Sequence, residues 1–174
     1  MRKMKNIIYS IIIASLFIAS CDDFELENQG IALQDVPGYV AFDAPGDDAI
    51  MDDVEAVEDD GSVDLTIEAP TGTLSDITID FVFGGSAVFD VDFTVANASA
   101  AGGSIVLPYD QSSVDNFDNV DLVITLLTDG VADGDKTLSI TLENALGADG
   151  TTFAVGRGGT DFLKSANVII ADID

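Results

Sequence analysis

The chain has 174 residues, with 32 Asp and Glu against only 6 Lys and Arg, and it contains one Cys, no His and no Trp. This length suits one domain with a hydrophobic core, and the negative charge argues against nucleic acid as a partner because that requires a basic surface. Without His and with one Cys, the chain cannot form an internal disulfide, a Cys–His zinc site or a His-containing catalytic triad.

The amino-terminal segment has three successive parts: basic residues at the start, an apolar run over residues 7–20, and Cys21 directly after two small residues. The apolar run is shorter than the roughly 20 residues that span a membrane, and it is typical of a signal peptide. Residues 18–21 (Ile-Ala-Ser-Cys) resemble the lipobox of bacterial lipoproteins. We therefore predict that residues 1–20 are cleaved and that Cys21 carries a lipid anchor. A plain secretory signal is the alternative.

The residues after Cys21 are acidic and polar and extend to Pro37. Asp22, Asp23 and Glu25 resemble the signal that directs lipoproteins of the Bacteroidetes group to the outer face of the outer membrane, whereas in enterobacteria an Asp here resembles an inner-membrane retention signal. We expect a surface-exposed, lipid-anchored protein of the outer membrane. Residues 21–37 are predicted to be the lipidated Cys and a tether.

Residues 38–174 are predicted to form one all-β domain. A short strand is expected at Tyr39–Phe42, and apolar residues then alternate with polar ones in residues 63–67, 77–83, 120–126, 138–142 and 168–170. A period of two indicates strands with one buried face, and Gly, Asp, Asn and Ser between them indicate turns. Short strands separated by turns predict a sandwich of antiparallel sheets.

Acidic residues gather just beyond the predicted strand ends, where the loops of a sandwich meet at one pole. Residues 127–144 (LTDGVADGDKTLSITLEN) and the ending 168–174 (VIIADID) resemble the acidic turn and last strand of Calx-β domains. Glu58 before Gly61, and Asp92 before Phe93, resemble earlier parts of the same family, in the family's order. The resemblance implies an immunoglobulin-like Greek-key sandwich.

The resemblance also implies a calcium site, because in calcium-binding members of the family carboxylates from these positions converge. The candidate ligands are Glu58, Asp92, Asp129, Asp133, Asp172 and Asp174. Ca²⁺ takes six to eight oxygen ligands, often from acidic loops. However, Thr128, Gly130, Gly134 and Lys136 stand where the family often has carboxylates, which indicates fewer or weaker sites. Alternatively, these acidic residues simply form solvated turns.

The sequence thus predicts a non-catalytic surface module that binds Ca²⁺ and acts in adhesion, scaffolding or contact with an extracellular protein or glycan. The module would be attached to the membrane through the lipid anchor at Cys21. A metal-free structural or assembly lipoprotein of the outer membrane is the alternative, and an accessory to a glycan-processing enzyme is a remote one.

Overall fold

The computed structural model describes residues 38–43, 50–109, 118–128 and 130–173. All of them belong to a unit that spans Val36–Asp174. The predicted signal peptide, Cys21 and the tether lie outside the described residues, as do the candidate ligands Asp129 and Asp174. In the described part of the chain, no helix is long and apolar enough to cross a membrane.

The described residues form eleven strands, and two single 3₁₀ turns at Glu58–Asp60 and Arg157–Gly159. The strands are β1 (Tyr39–Phe42), β2 (Val54–Val57), β3 (Ser62–Ala69), β4 (Ile77–Gly85), β5 (Phe93–Val95), β6 (Ala98–Ser99), β7 (Gly102–Leu107), β8 (Asp118–Leu126), β9 (Lys136–Gly147), β10 (Thr152–Val155) and β11 (Ser165–Ala171). The predicted all-β fold is confirmed.

The strands make two layers that β1 joins. One layer has the order β5-β8-β3-β1, and the other has the order β10-β9-β4-β7-β6, with β11 paired to β9 and β2 paired to β11. Tyr39 and Val40 pair with β10, whereas Ala41 and Phe42 pair with β3, so β1 contributes to both layers. The pairing is antiparallel except in β1–β10 and β2–β11, which are parallel.

The predicted alternating segments fall in β3, β4, β8, β9 and β11, and their inward side chains fill the space between the layers. Leu65, Ile79, Ile124, Ile140 and Val168 are each fully buried. Alternate side chains of a strand point to opposite faces, so the polar residues between these positions remain outside. This burial of one face per strand is the main contribution to stability.

A cluster of four phenylalanine rings closes one end of the core. Phe83 lies 5.0 Å from Phe93 in an edge-to-face arrangement and 5.8 Å from Phe89, and Phe81 lies 5.5 Å from Phe83, measured between ring centroids. Such pairs add about 0.5–1.5 kcal/mol each beyond the area that they bury. Because Phe93 begins β5, the cluster fixes the position of the residue before it, Asp92.

The strand registers define two ends of the sandwich. At one of them, four strands finish and three others begin. The strands that finish there are β2, β4, β8 and β11, and those that begin there are β3, β5 and β9. At the opposite end, which we call the far pole, β3 and β7 end and β1, β4 and β8 begin; it contains Gly38, Ala69, Ile77 and Leu107. The chain therefore enters the domain at the far pole.

Candidate metal centre

Two of the candidate ligands directly follow the ends of the neighbouring strands β2 and β11. Ala171 of β11 pairs with Val57 of β2 in a parallel register, so Asp172 and Glu58 follow directly at the same end. Glu58 begins the 3₁₀ turn after β2 and is only 4% exposed. The Thr128 hydroxyl, just beyond β8, donates to the Glu58 carbonyl oxygen at 3.3 Å.

Asp92 approaches from the other side of β8. The backbone N–H of Leu127 donates to the Asp92 carbonyl oxygen at 2.9 Å, so the end of β8 passes between Asp92 and Glu58. The Asp92 side chain is 4% exposed, and its Oδ2 accepts a hydrogen bond from the Val88 N–H. Ionisable carboxylates are rarely this buried unless hydrogen bonds or a cation compensate for the lost water.

The loop between β8 and β9 brings Asp133 to the same end. The Lys136 ammonium lies 2.8 Å from Asp133 Oδ1 and also donates to the Asp133 carbonyl oxygen at 3.3 Å. The Gly134 N–H donates to Asp172 Oδ2, and the Asp172 N–H donates to Asp135 Oδ1 at 3.1 Å. These bonds fasten the loop to the end of β11. We call Glu58, Asp92, Asp133 and Asp172, with Lys136, the acidic pole.

Lys136 is the basic group of the acidic pole. The hydrogen bond that Lys136 donates to the Asp133 carboxylate raises the pKa of Lys136 above its ordinary value of 10.5. The negative charges of Asp133, Asp92 and Asp172 raise this pKa further, and burial opposes the shift. One ammonium group therefore interacts with three of the candidate ligands. The sequence analysis identified Lys136 only as a departure from the Calx-β pattern. A single basic residue within an acidic loop is the signal that could have predicted its contact with these carboxylates.

The structure brings four of the six candidate ligands to one pole, and their role as ligands stays a prediction. Oxygen donors of this kind suit a hard cation such as Ca²⁺, and the burial of Glu58 and Asp92 agrees with such a site. Within the described residues, however, no three acidic side chains are grouped closely enough to form a complete metal site. Lys136 already forms an ion pair with Asp133, so this carboxylate is less available to a cation.

A cavity of about 520 Å³ at the far pole is lined mainly by small polar residues. Its polar groups bind one another: the Thr73 hydroxyl donates to the Ser75 carbonyl, and the Thr151 N–H donates to Asp149 Oδ1 at 2.9 Å. The hydrogen bonds from Thr151 lower the pKa of Asp149. These bonds join polar groups of the turns that line the cavity.

Comparison with known proteins shows the fold. The chain is similar to the apo form of the Calx CBD1 domain, with a TM-score of 0.53 and 17% identity over 79% of this chain and 99% of that one. It is also similar to the Calx CBD2 domain, with a TM-score of 0.53 and 15% identity over 77% and 86% of the two chains. A third similar structure is the calcium binding domain CBD12 of CALX1.1. Its TM-score is 0.52, and its identity is 20% over 78% of this chain and 44% of that one.

These similarities confirm the Calx-β-like fold that the sequence predicts, and at such identities they show the fold alone. No protein-family model matches the sequence, and no curated protein matches it.

Proposed function

We propose that this chain is a non-catalytic, lipid-anchored surface module of the outer membrane whose acidic pole binds one Ca²⁺. The observation that carries the proposal is the meeting of Glu58, Asp92, Asp133 and Asp172 from four separate segments at one pole. Like charges so placed repel one another, and a bound cation relieves that repulsion. The similar domain of CALX1.1, described as calcium binding, supports the same conclusion.

The acidic pole suits the predicted role at the cell surface. In the described residues the domain begins at Gly38, at the far pole, and the acidic pole is the other end of the same domain. A Ca²⁺-stabilised acidic pole would act in adhesion, scaffolding or contact with an extracellular protein or glycan.

One observation favours the metal-free alternative. The ion pair of Lys136 with Asp133, and the Gly134 N–H that donates to Asp172, already neutralise or bind two of the four carboxylates. In this alternative, Lys136 itself takes the place of the cation and the module is purely structural. The two candidates differ in the Ca²⁺ response that they predict for a protein that lacks the ammonium group.

Thermal unfolding of the purified protein and of its Lys136→Met variant, each with and without Ca²⁺, distinguishes the two candidates. For a weak extracellular site, Ca²⁺ in the millimolar range should stabilise the fold by about 1–2 kcal/mol, which raises Tm by several degrees for a domain of this size. Mg²⁺ should do less, because it requires a smaller octahedral site. Without its ammonium group, Lys136→Met should unfold at a lower temperature in the absence of metal and gain more from Ca²⁺.

The matched variants are Glu58→Gln at the acidic pole and Asp76→Asn at the far pole. Glu58→Gln should abolish most of the Ca²⁺ effect. Asp76→Asn should leave it unchanged, since Asp76 Oδ1 accepts the Tyr109 N–H and an amide oxygen can do the same. The measurements are made at about 0.15 M ionic strength, where interactions between exposed charges are already largely screened. If Lys136→Met is destabilised but responds to Ca²⁺ no more than to Mg²⁺, the metal-free alternative holds.

A further inference from the structure

The segment between β10 and β11 lies along β1 and continues the pairing that β10 begins. Backbone hydrogen bonds follow one another along the same edge of β1. They run from the Ala154 N–H to the Gly38 carbonyl oxygen at 2.9 Å, from the Gly156 N–H to the Val40 carbonyl oxygen at 2.8 Å, and from the Phe42 N–H to the Leu163 carbonyl oxygen at 2.9 Å. We call residues 156–163 the strap, because they bind this edge of β1 beyond the end of β10.

One side chain anchors the strap. Residues 157–162 are all exposed, whereas Leu163 is only 8% exposed. Leu163 packs against Ala41 of β1 in a small apolar cluster that is separate from the main core. The neighbouring Val40 belongs to the main core, because alternate side chains of a strand point to opposite faces. β1 therefore lies between the main core and the anchor of the strap.

Leu163 holds this position in an unfavourable backbone conformation. Its φ is +53°, in the left-handed region that residues with a Cβ rarely adopt. A residue in such a conformation persists only where its surroundings hold it, and strain of this kind is common in segments that switch between states. The buried contact with Ala41 and the hydrogen bond from Phe42 must therefore offset the strain at Leu163.

The pairing of β1 is short, and the other strands do not depend on it. Tyr39 and Val40 pair with β10, and Ala41 and Phe42 pair with β3, whereas β3 pairs with β8 over its whole length of eight residues. β10 is also paired with β9, so both layers keep their ladders without β1. Segments with few contacts of their own open at a lower free energy than the whole domain.

We infer that the strap and β1 open together as one unit while the rest of the sandwich stays folded, and that Leu163 is the point of release. When Leu163 leaves Ala41, β1 loses its bonds to the strap and keeps only its short pairings. The open state is rare, because Val40 and Phe42 leave the core in it. The strap thus determines whether β1 belongs to the folded domain. The inference is independent of metal at the acidic pole and of a lipid at Cys21.

Native-state hydrogen exchange of the whole protein in low concentrations of urea tests the inference, because it resolves partial openings that precede global unfolding. The Phe42 and Gly156 amides form the bonds between β1 and the strap. The Asp43 amide is bonded to β3 and the Ala154 amide to β1, each at 2.9 Å. We expect these four amides to share one free energy of opening and one urea dependence. They should exchange about tenfold faster, or more, than amides of the β3–β8 ladder.

Two further amides and two variants define the unit. The Leu142 amide, which donates to the Lys164 carbonyl oxygen at 3.0 Å just beyond the strap, should stay as protected as the ladder. Leu163→Ala should accelerate all four amides of the unit by the same factor, about tenfold or more, because a buried leucine side chain is lost. Phe162→Ala is the matched control, since Phe162 is the neighbouring strap residue and is 51% exposed. It should leave the exchange of the four amides unchanged.

Three results would overturn the inference. If the four amides exchange together with the ladder at every urea concentration, β1 leaves only when the whole domain unfolds. If the Phe42 and Gly156 amides exchange well before those of Asp43 and Ala154, the strap opens alone and β1 stays in place. If Phe162→Ala accelerates exchange as much as Leu163→Ala does, Leu163 is not the anchor. The first two results come from the unmodified protein, so the test stands even where a variant fails to fold.

Discussion

The end of β4 at Gly85 offers a sharp test of how the acidic pole is built. Gly85 has a φ of +94°, and a Cβ added there would lie 2.1 Å from the Thr137 carbonyl oxygen. That oxygen accepts hydrogen bonds from the N–H groups of Ser86, at 2.8 Å, and Ala87, at 3.0 Å. The carbonyl therefore cannot retreat without losing both bonds, and Thr137 directly follows Lys136.

Gly85→Ala should lower the free energy of unfolding by roughly 2–5 kcal/mol. The unfavourable φ contributes about 1–2 kcal/mol, and the loss of two backbone hydrogen bonds contributes about 0.5–1.5 kcal/mol each. Gly61→Ala is the control, because Gly61 also has a positive φ, +82°, but nothing lies within 4 Å of its added Cβ. It should cost only the conformational part, about 1–2 kcal/mol.

Urea unfolding at constant m-value measures both changes. Equal losses for Gly85→Ala and Gly61→Ala would show that the Thr137 carbonyl is free to move, and the reasoning about the rigid end of β4 would be refuted. A larger loss for Gly85→Ala would show that the beginning of β9, which carries Lys136, is held in place by the end of β4.

Two further predictions concern Glu68 and Cys21. Burial raises the pKa of Glu68 above its ordinary value of 4.5, the negative charge of Asp43 adds to the shift, and Arg157 opposes it. The ionised Glu68 side chain therefore destabilises the fold at a pH above the raised pKa of the folded state. This destabilisation disappears at a pH below the ordinary pKa, where the side chain is protonated in both states. Glu68→Gln should raise the urea midpoint at neutral pH but leave it nearly unchanged near pH 3, whereas an equal gain at both would contradict the assignment. For Cys21, mass spectrometry of the native protein should find an acylated amino terminus, protease should cleave the protein on intact cells, and Cys21→Ser should release it from membranes; an unmodified terminus elsewhere would disprove the anchor.

Most of the strands that the sequence predicted have a long alternation, whereas β1 was predicted from a short apolar run. β3, β4, β8 and β9 each bury three or more side chains on one face, so their pattern is visible without knowledge of their partners. β2 and β10 each bury only one side chain, Ala56 and Phe153, and β7 begins with two glycines and exposes Val106. These strands exist because neighbours supply hydrogen bonds, and no local pattern reveals that.

The candidate site follows the same division. Acidic residues beyond strand ends, with the order typical of Calx-β domains, predicted a set of ligands, and the strand registers put Glu58, Asp92, Asp133 and Asp172 at the same end of the sandwich. Their role as ligands stays a prediction. The contact of Lys136 with Asp133 depends on the path of the loop between β8 and β9. That path is a property of the folded chain, so the sequence alone did not predict the contact.

The position of β1 has a mechanical consequence. A pull on the chain before Gly38 is transmitted along β1, whose first half is bonded to β10 and whose second half is bonded to β3. Force along a strand loads its hydrogen bonds in shear, so several must yield together instead of opening one at a time. Because the bonds on either side belong to different layers, neither layer can be peeled away separately at this point. The segment that would carry tension from a membrane anchor is therefore clamped by both halves of the sandwich.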